Sequence, residues 1–245
     1  MRLRKHWWKI LITTILILIA ILFWFLRPYT ASEEALSFLQ SSEQVDVEMN
    51  STWIEFSPRD TELEANVIMY PGGLLEHESY APLAHSLAEE GFRTFVIKMP
   101  LNLAVLGGNK AQDVIKELGD EPVFIGGHSL GGVMASRFAA ENEELFNGVF
   151  FLASYPDEKG SLWNKQVASI SFLATNDSVL NRDRYDEAGA YFASDHLEII
   201  IEGGNHAQFG SYGAQKGDTP ASISTEEQLT QVSDALSEWI TVQIK

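Results

Sequence analysis

Short runs of apolar residues recur along the chain and alternate with stretches that have helical periodicity. Strands that are apolar on both faces are typical of a parallel sheet covered by helices on its two sides. The alternation therefore predicts an α/β fold. The apolar runs lie at residues 66–70, 94–98, 123–125, 148–153, 168–174 and 197–201, and the helical stretches at 80–90, 110–118, 131–141, 179–188 and 225–244.

A pair of alternating segments precedes this region. Residues 45–49 and 53–56 alternate with a period of two around Asn50 and Ser51, which is the pattern of an antiparallel hairpin. Added to the six later runs, the hairpin gives a mostly parallel sheet of about eight strands. Only about 15 residues separate the runs that end at Ala153 and begin at Ala168, too few for a large cap domain.

The N-terminus has the layout of a membrane-targeting segment. Four basic residues precede an uncharged, mostly apolar run at 10–26. A helix of that length spans roughly 25 Å, and basic residues before it favour a cytoplasmic N-terminus. We expect a cytoplasmic basic segment at 1–9, a single-pass transmembrane anchor at 10–26, a spacer at 27–44 and an exported domain at 45–245. A cleaved signal peptide is the alternative to the anchor.

Charge and cysteine content restrict what the exported domain can bind. Beyond Arg27 the chain holds 12 basic and 34 acidic residues, a formal charge of −22. Such a surface repels nucleic acids, which we exclude as ligands. The absence of cysteine excludes disulfides and thiolate metal sites, and no histidine pair has the spacing of a zinc site. No metal is therefore expected.

The sequence GGHSLGG at 126–132 places one serine among four glycines, after an apolar run and before a helical stretch. Val133 follows where a phosphate-binding loop needs lysine, and His128 stands where a dinucleotide-binding turn needs glycine. The stretch does fit G-x-S-x-G between strand and helix, the turn that presents a nucleophilic serine. Ser129 is the candidate nucleophile and the Leu130 N–H a candidate oxyanion donor. A purely structural turn is the alternative.

With this motif the chain resembles the α/β-hydrolase fold family over about residues 45–244. Two further stretches, YPGG at 70–73 and GGNHAQFGSYGAQKGD at 203–218, resemble a bacterial subgroup of small serine hydrolases with a minimal lid. The resemblance implies a triad in the chain order serine, acid, histidine, an acyl-enzyme mechanism and no cofactor.

The partners of Ser129 are sought at the carboxyl edge of the predicted sheet, where catalytic groups gather. His206 follows the last apolar run and is the candidate base. Asp177 follows the run at 168–174, where the family places the acid that fixes the histidine tautomer. The alternative for Asp177 is a cap on the following helix.

Other candidate site residues lie in three loops. The resemblance implies a second oxyanion donor, the N–H of Gly73 or Leu74, and the choice stays open. Leu103 lies in an apolar stretch that either lines a pocket or packs in the core. Phe209 and Tyr212, in the loop around His206, have the same two alternatives.

Together these features predict a membrane-anchored, extracytoplasmic serine hydrolase of esterase type. Its substrate would be a small-molecule, lipid or cell-wall acyl ester, and the sequence does not choose among them. Two alternatives stay open. One is an acyltransferase with the same triad, and the other is a non-catalytic binding protein that keeps the hydrolase fold as a scaffold.

Overall fold

The structure is a computed structural model that describes residues 7–59 and 61–245, except for the side chains at 19 and 21–25. Most of the predicted basic segment, residues 1–6, lies outside the described residues. Eight strands form one sheet in the order β1-β2-β4-β3-β5-β6-β7-β8. The strands are Val45–Met49 (β1), Trp53–Pro58 (β2), Ala65–Tyr70 (β3), Phe92–Ile97 (β4), Val123–His128 (β5), Gly148–Leu152 (β6), Ala168–Ala174 (β7) and His196–Ile201 (β8).

The pairing of the strands confirms the predicted sheet. β1 and β2 form the antiparallel hairpin, and β2 pairs antiparallel with β4. All other neighbours are parallel. The fold is therefore an α/β-hydrolase fold with a mostly parallel, eight-stranded sheet.

Helices cover both faces of the sheet. Every residue of β3, β5, β6 and β7 is buried. Alternate residues of β3 enter opposite cores, with Val67 and Met69 in one cluster and Ile68 and Tyr70 in the other, because successive side chains of a strand point to opposite faces. The helices are Trp7–Phe25 (α1), Glu33–Ser37 (α2), Ala81–Glu89 (α3), Ala111–Ile115 (α4), Leu130–Glu141 (α5), Arg182–Glu187 (α6) and Thr225–Gln243 (α7).

Two helices are shorter than the sequence predicts. α6 was expected from residue 179, but one carboxylate oxygen of Asp177 accepts the N–H groups of Val179 and Leu180, each at 2.8 Å. Those groups are thereby withheld from a helix, which begins only after Asn181 caps it. α4 ends early because the N–H groups of Glu117 and Leu118 bond three residues back rather than four.

The N-terminal helix α1 exposes its apolar side chains. Nine large ones, from Trp7 to Leu18, are at least 45% exposed. Within the part of the chain that the structure describes, no helix has the length and hydropathy needed to cross a membrane. The transmembrane anchor at residues 10–26 stays a prediction, and its side chains at 19 and 21–25 lie outside the described residues.

The predicted spacer at 27–44 packs against the rest of the molecule. Tyr29 forms an isolated parallel bridge with Leu75, and its N–H donates to the carbonyl oxygen of Leu74 at 2.8 Å. Ala35 in α2 is fully buried. The chain between α1 and β1 is thus fixed to the loop that follows β3.

Candidate active site

Ser129 occupies a strained turn between β5 and α5. Its φ of 49° and ψ of −123° are unfavourable for a residue with a side chain. The strain is held by two hydrogen bonds: the Ser129 N–H donates to the Leu152 carbonyl at 2.9 Å, and the Ser154 hydroxyl donates to the Ser129 carbonyl at 2.6 Å. A strained residue that hydrogen bonds fix at a strand-to-helix turn is typical of a nucleophile elbow.

The glycines of GGHSLGG are required by close backbone contacts. A Cβ atom on Gly131 would lie 2.2 Å from the carbonyl oxygen of Tyr70 and 2.5 Å from that of Pro71. A Cβ on Gly127 would lie 2.3 Å from the same Tyr70 oxygen. These glycines bring the elbow against the end of β3, and so against the loop that follows it.

We expect Gly131→Ala to destabilise the protein by about 3 kcal/mol, because the added methyl meets immobile backbone rather than a flexible side chain. Gly189→Ala is the matched control, since a Cβ there meets nothing within 4 Å. Denaturant unfolding of both variants tests this expectation. Equal stability of the two would contradict the packing described for the elbow.

His206 and Asp177 form a buried hydrogen-bonded pair. His206 Nδ1 lies 2.8 Å from one carboxylate oxygen of Asp177, and the side chains are 2% and 0% exposed. Burial alone would raise the pKa of Asp177, but the hydrogen bond and charge of His206, with two backbone N–H groups, lower that pKa below its ordinary value. An ionised Asp177 accepts the Nδ1 proton, which leaves Nε2 of His206 to accept another proton.

The loop that carries His206 is held from two sides. Gln228 of α7, fully buried, accepts the Asn205 N–H and donates to the Asn205 carbonyl, both at 2.9 Å. Asp218 accepts the Ala207 N–H with one oxygen and the Ser178 N–H with the other. Asp218 therefore joins the histidine loop to the acid loop. The role of Gln228 carries no signal in the sequence, because a buried glutamine on a helix has no motif, whereas Asp218 is the last residue of the stretch at 203–218.

The two candidate oxyanion donors after β3 differ in their hydrogen bonding. The Leu74 N–H donates to the carbonyl oxygen of Asn102 at 2.7 Å, so it is not free for a substrate. The Gly73 N–H has no partner among the described residues. A Cβ on Gly73 would lie 3.2 Å from the Leu130 side chain, so this residue faces the start of α5. Gly73 is thus the better placed of the two donors.

A buried polar chain joins the Gly72 loop to the elbow. The Tyr80 hydroxyl accepts the Gly72 N–H at 2.9 Å and lies 2.8 Å from His128 Nδ1. Burial and then the neighbouring His206 hold the pKa of His128 well below its ordinary value. The ring centroids of His128 and His206 lie 4.6 Å apart.

Tyr80→Phe is expected to loosen the loop after β3, because the orphaned Gly72 N–H no longer fixes the adjacent Gly73, the candidate oxyanion donor. It is also expected to lower the free energy of unfolding by about 2–4 kcal/mol, since two buried groups lose their partner. Tyr212→Phe, which removes a hydroxyl bonded to Gln215, is the control. A Tyr80→Phe variant that unfolds at the same denaturant concentration as Tyr212→Phe would contradict this role.

Stability is expected to decline as the pH falls below about 6.5, the ordinary histidine pKa. His128 stays neutral in the folded state but binds a proton when unfolded, so the unfolded state binds more protons at acid pH. One such group contributes a slope of about 1.4 kcal/mol per pH unit. His128→Asn should remove up to that much from the slope measured by unfolding between pH 7 and 5. An unchanged slope would contradict a neutral His128.

A cavity of about 260 Å³ opens beside Ser129 and His206. Leu103, Phe209 and Tyr212, proposed from the sequence as pocket residues, are not among its lining. Phe209 is fully buried and Tyr212 nearly so, while Leu103 lies near Gly73. Within the described residues no cluster of three acidic or histidine side chains is placed to hold a metal ion. The cavity beside Ser129 and His206 is lined by Ser129, Leu130, Val133, Ala153, Ser154, Tyr155, Val179, Leu180, Asn181 and His206.

Many solved structures share this fold, among them three hydrolases. A dienelactone hydrolase from Anabaena variabilis matches with a TM-score of 0.60 and 16% identity, over 81% of this chain and 98% of its own. A monoglyceride lipase from Saccharomyces cerevisiae matches with a TM-score of 0.60 and 10% identity, over 84% of this chain and 97% of its own. A carboxylesterase from Bacillus subtilis matches with a TM-score of 0.53 and 12% identity, over 83% of this chain and 93% of its own. Identities this low show the fold alone.

Comparison with family models adds evidence from the sequence itself, whereas comparison with curated proteins gave no match. The model of the alpha/beta hydrolase family matches residues 66–230, from β3 into α7. That span contains the elbow, the buried Asp177–His206 pair and the loop after β3. The chain belongs to the alpha/beta hydrolase family.

Proposed function

We propose that this protein is a serine hydrolase that cleaves an acyl ester through Ser129, His206 and Asp177. The observation that carries the proposal is the buried 2.8 Å contact between His206 Nδ1 and Asp177, next to a cavity that both His206 and the strained Ser129 line. In that arrangement the histidine has one nitrogen engaged and the other available as a base.

The proposed reaction proceeds in two halves. His206 Nε2 takes the Ser129 hydroxyl proton as the serine oxygen attacks the ester carbonyl. The Leu130 and Gly73 N–H groups hold the oxyanion, and His206 returns the proton to the departing alcohol. A water molecule, deprotonated by His206, then attacks the acyl-serine. The bond to the serine oxygen breaks, His206 returns the proton to that oxygen, and the carboxylic acid leaves. Atoms balance: one ester and one water give one alcohol and one acid.

The similar structures support ester chemistry but leave the substrate open. Their names describe hydrolysis of a dienelactone, of a monoglyceride and of carboxylic esters. We place this chain in the lid-poor group of such enzymes, because only a short connection, with no helix longer than a single turn, links β6 to β7. We also propose that the N-terminal helix holds the domain at the outer face of the cell membrane, with the N-terminus cytoplasmic.

Hydrolysis of p-nitrophenyl esters of increasing acyl length tests the proposed reaction. We expect a burst of nitrophenol equal to the number of active sites where deacylation is slower than acylation. Adding a primary alcohol separates the acyltransferase alternative, which would form a new ester in preference to the acid. A folded protein without turnover of any ester would favour the binding scaffold.

A further inference from the structure

The loop after β4 displays apolar side chains at the edge of the site. Leu101, Val105 and Leu106 are 62%, 52% and 54% exposed, whereas Met99 and Ala104 in the same loop are buried. The loop is therefore fixed in the core and presents its tip outward. Leu101 also has a positive φ of 52°, which is uncommon for a residue with a branched side chain.

This loop is connected by hydrogen bonds to the end of the exposed helix α1. The Tyr29 N–H donates to the Leu74 carbonyl at 2.8 Å, and the Leu74 N–H donates to the Asn102 carbonyl at 2.7 Å. Tyr29 is the fourth residue after Phe25, the end of α1, so the chain between them reaches at most about 14 Å. α1 therefore leaves the domain beside the site.

The distribution of charge distinguishes the same edge. We call residues 71–75, 99–108 and 206–214 the site rim, and none of the chain's 34 acidic residues lies in these three segments. The rest of the domain is strongly acidic. Near an anionic lipid surface, repulsion of that remainder turns the acid-free rim toward the membrane.

We propose that the site rim is a lipid-contacting surface and that α1 and the rim enter the same bilayer. The nine exposed apolar side chains of α1 need an apolar medium, and the loop that displays Leu101 and Leu106 is joined by hydrogen bonds through Leu74 to Tyr29, shortly after that helix. The inference rests on the proposed ester hydrolysis at Ser129. It specifies the substrate class as an acyl ester held in a lipid surface, whose chain enters the apolar cavity between Leu130 and Leu180.

The absence of cysteine allows a direct test on the full chain. Leu106→Cys, labelled with an environment-sensitive fluorophore, is reconstituted in phosphatidylcholine vesicles containing acyl-brominated lipid. Val242→Cys is the matched control. Val242 is 62% exposed but lies beside Glu64 and Phe92, where β3 and β4 begin. This is the end of the strands opposite to the site. We expect bromine to quench the label at residue 106 at least about twofold more than at residue 242. Equal quenching at the two positions would overturn the proposal.

An activity ratio separates this inference from the proposed function. The rate on a long-chain ester in vesicles is divided by the rate on a soluble short-chain ester. Leu101→Glu combined with Leu106→Glu should lower that ratio about tenfold, and Val242→Glu should leave it unchanged. An unaltered ratio in the double variant would overturn the lipid-contacting rim. A wild-type protein inactive on soluble esters would instead overturn the hydrolase proposal, while the quenching result would still decide the orientation.

Discussion

Ser129→Ala is expected to lower kcat for ester hydrolysis by about 10⁶-fold. The reason is that the acyl group has no other acceptor. The Asp177–His206 pair remains intact, but the base has no hydroxyl proton to remove. The residual rate above that in water would come from the Leu130 and Gly73 N–H groups alone. The measurement is steady-state kinetics on a p-nitrophenyl ester. The enzyme concentration has to be high enough to detect the residual rate.

The matched control is Ser237→Ala in α7. That serine is buried, and its hydroxyl has no partner among the described residues, so its removal should cost neither activity nor stability. If Ser129→Ala retained more than a few per cent of the activity while Ser237→Ala was unaffected, the nucleophile would lie elsewhere.

Asp177→Asn is the second large effect, with an expected loss of about 10⁴-fold in kcat. The asparagine oxygen can still accept the Val179 and Leu180 N–H groups, so the acid loop keeps its shape. Its amide nitrogen, however, now donates to His206 Nδ1. The histidine proton is then forced to Nε2, the atom that has to accept the serine proton.

Because the defect is in the tautomer and not in binding, KM should change little while kcat falls. The exposed Asp183 of α6 provides Asp183→Asn as the control with full activity. A higher KM with an unchanged kcat would mean that Asp177 contacts substrate instead of orienting His206.

The sheet could be predicted from the sequence because its signal is local. An inner strand buried on both sides is an uninterrupted apolar run, and all six runs, with the hairpin before them, became strands. The start of α6 could not be predicted in the same way. It depends on Asp177 taking two N–H groups that the local pattern assigns to a helix.

The site shows the same division. Ser129, Asp177 and His206 follow from a motif, a chain order and the edge of a parallel sheet. The choice between Gly73 and Leu74 depends on Asn102, a loop residue about 30 positions away whose carbonyl takes the Leu74 N–H. The pocket lining was missed because Tyr155, Val179 and Leu180 lie in irregular segments without periodicity. Contacts between distant loops leave no pattern in either partner.

The most direct test of the proposed nucleophile is covalent labelling of the full chain with a fluorophosphonate probe, followed by peptide mapping. The probe reacts with a serine only where a base activates it and an oxyanion site holds the phosphoryl oxygen. The proposed mechanism predicts one adduct, on Ser129, and its loss in both Ser129→Ala and His206→Ala. An adduct on another serine, or no adduct on the folded wild-type protein, would contradict it.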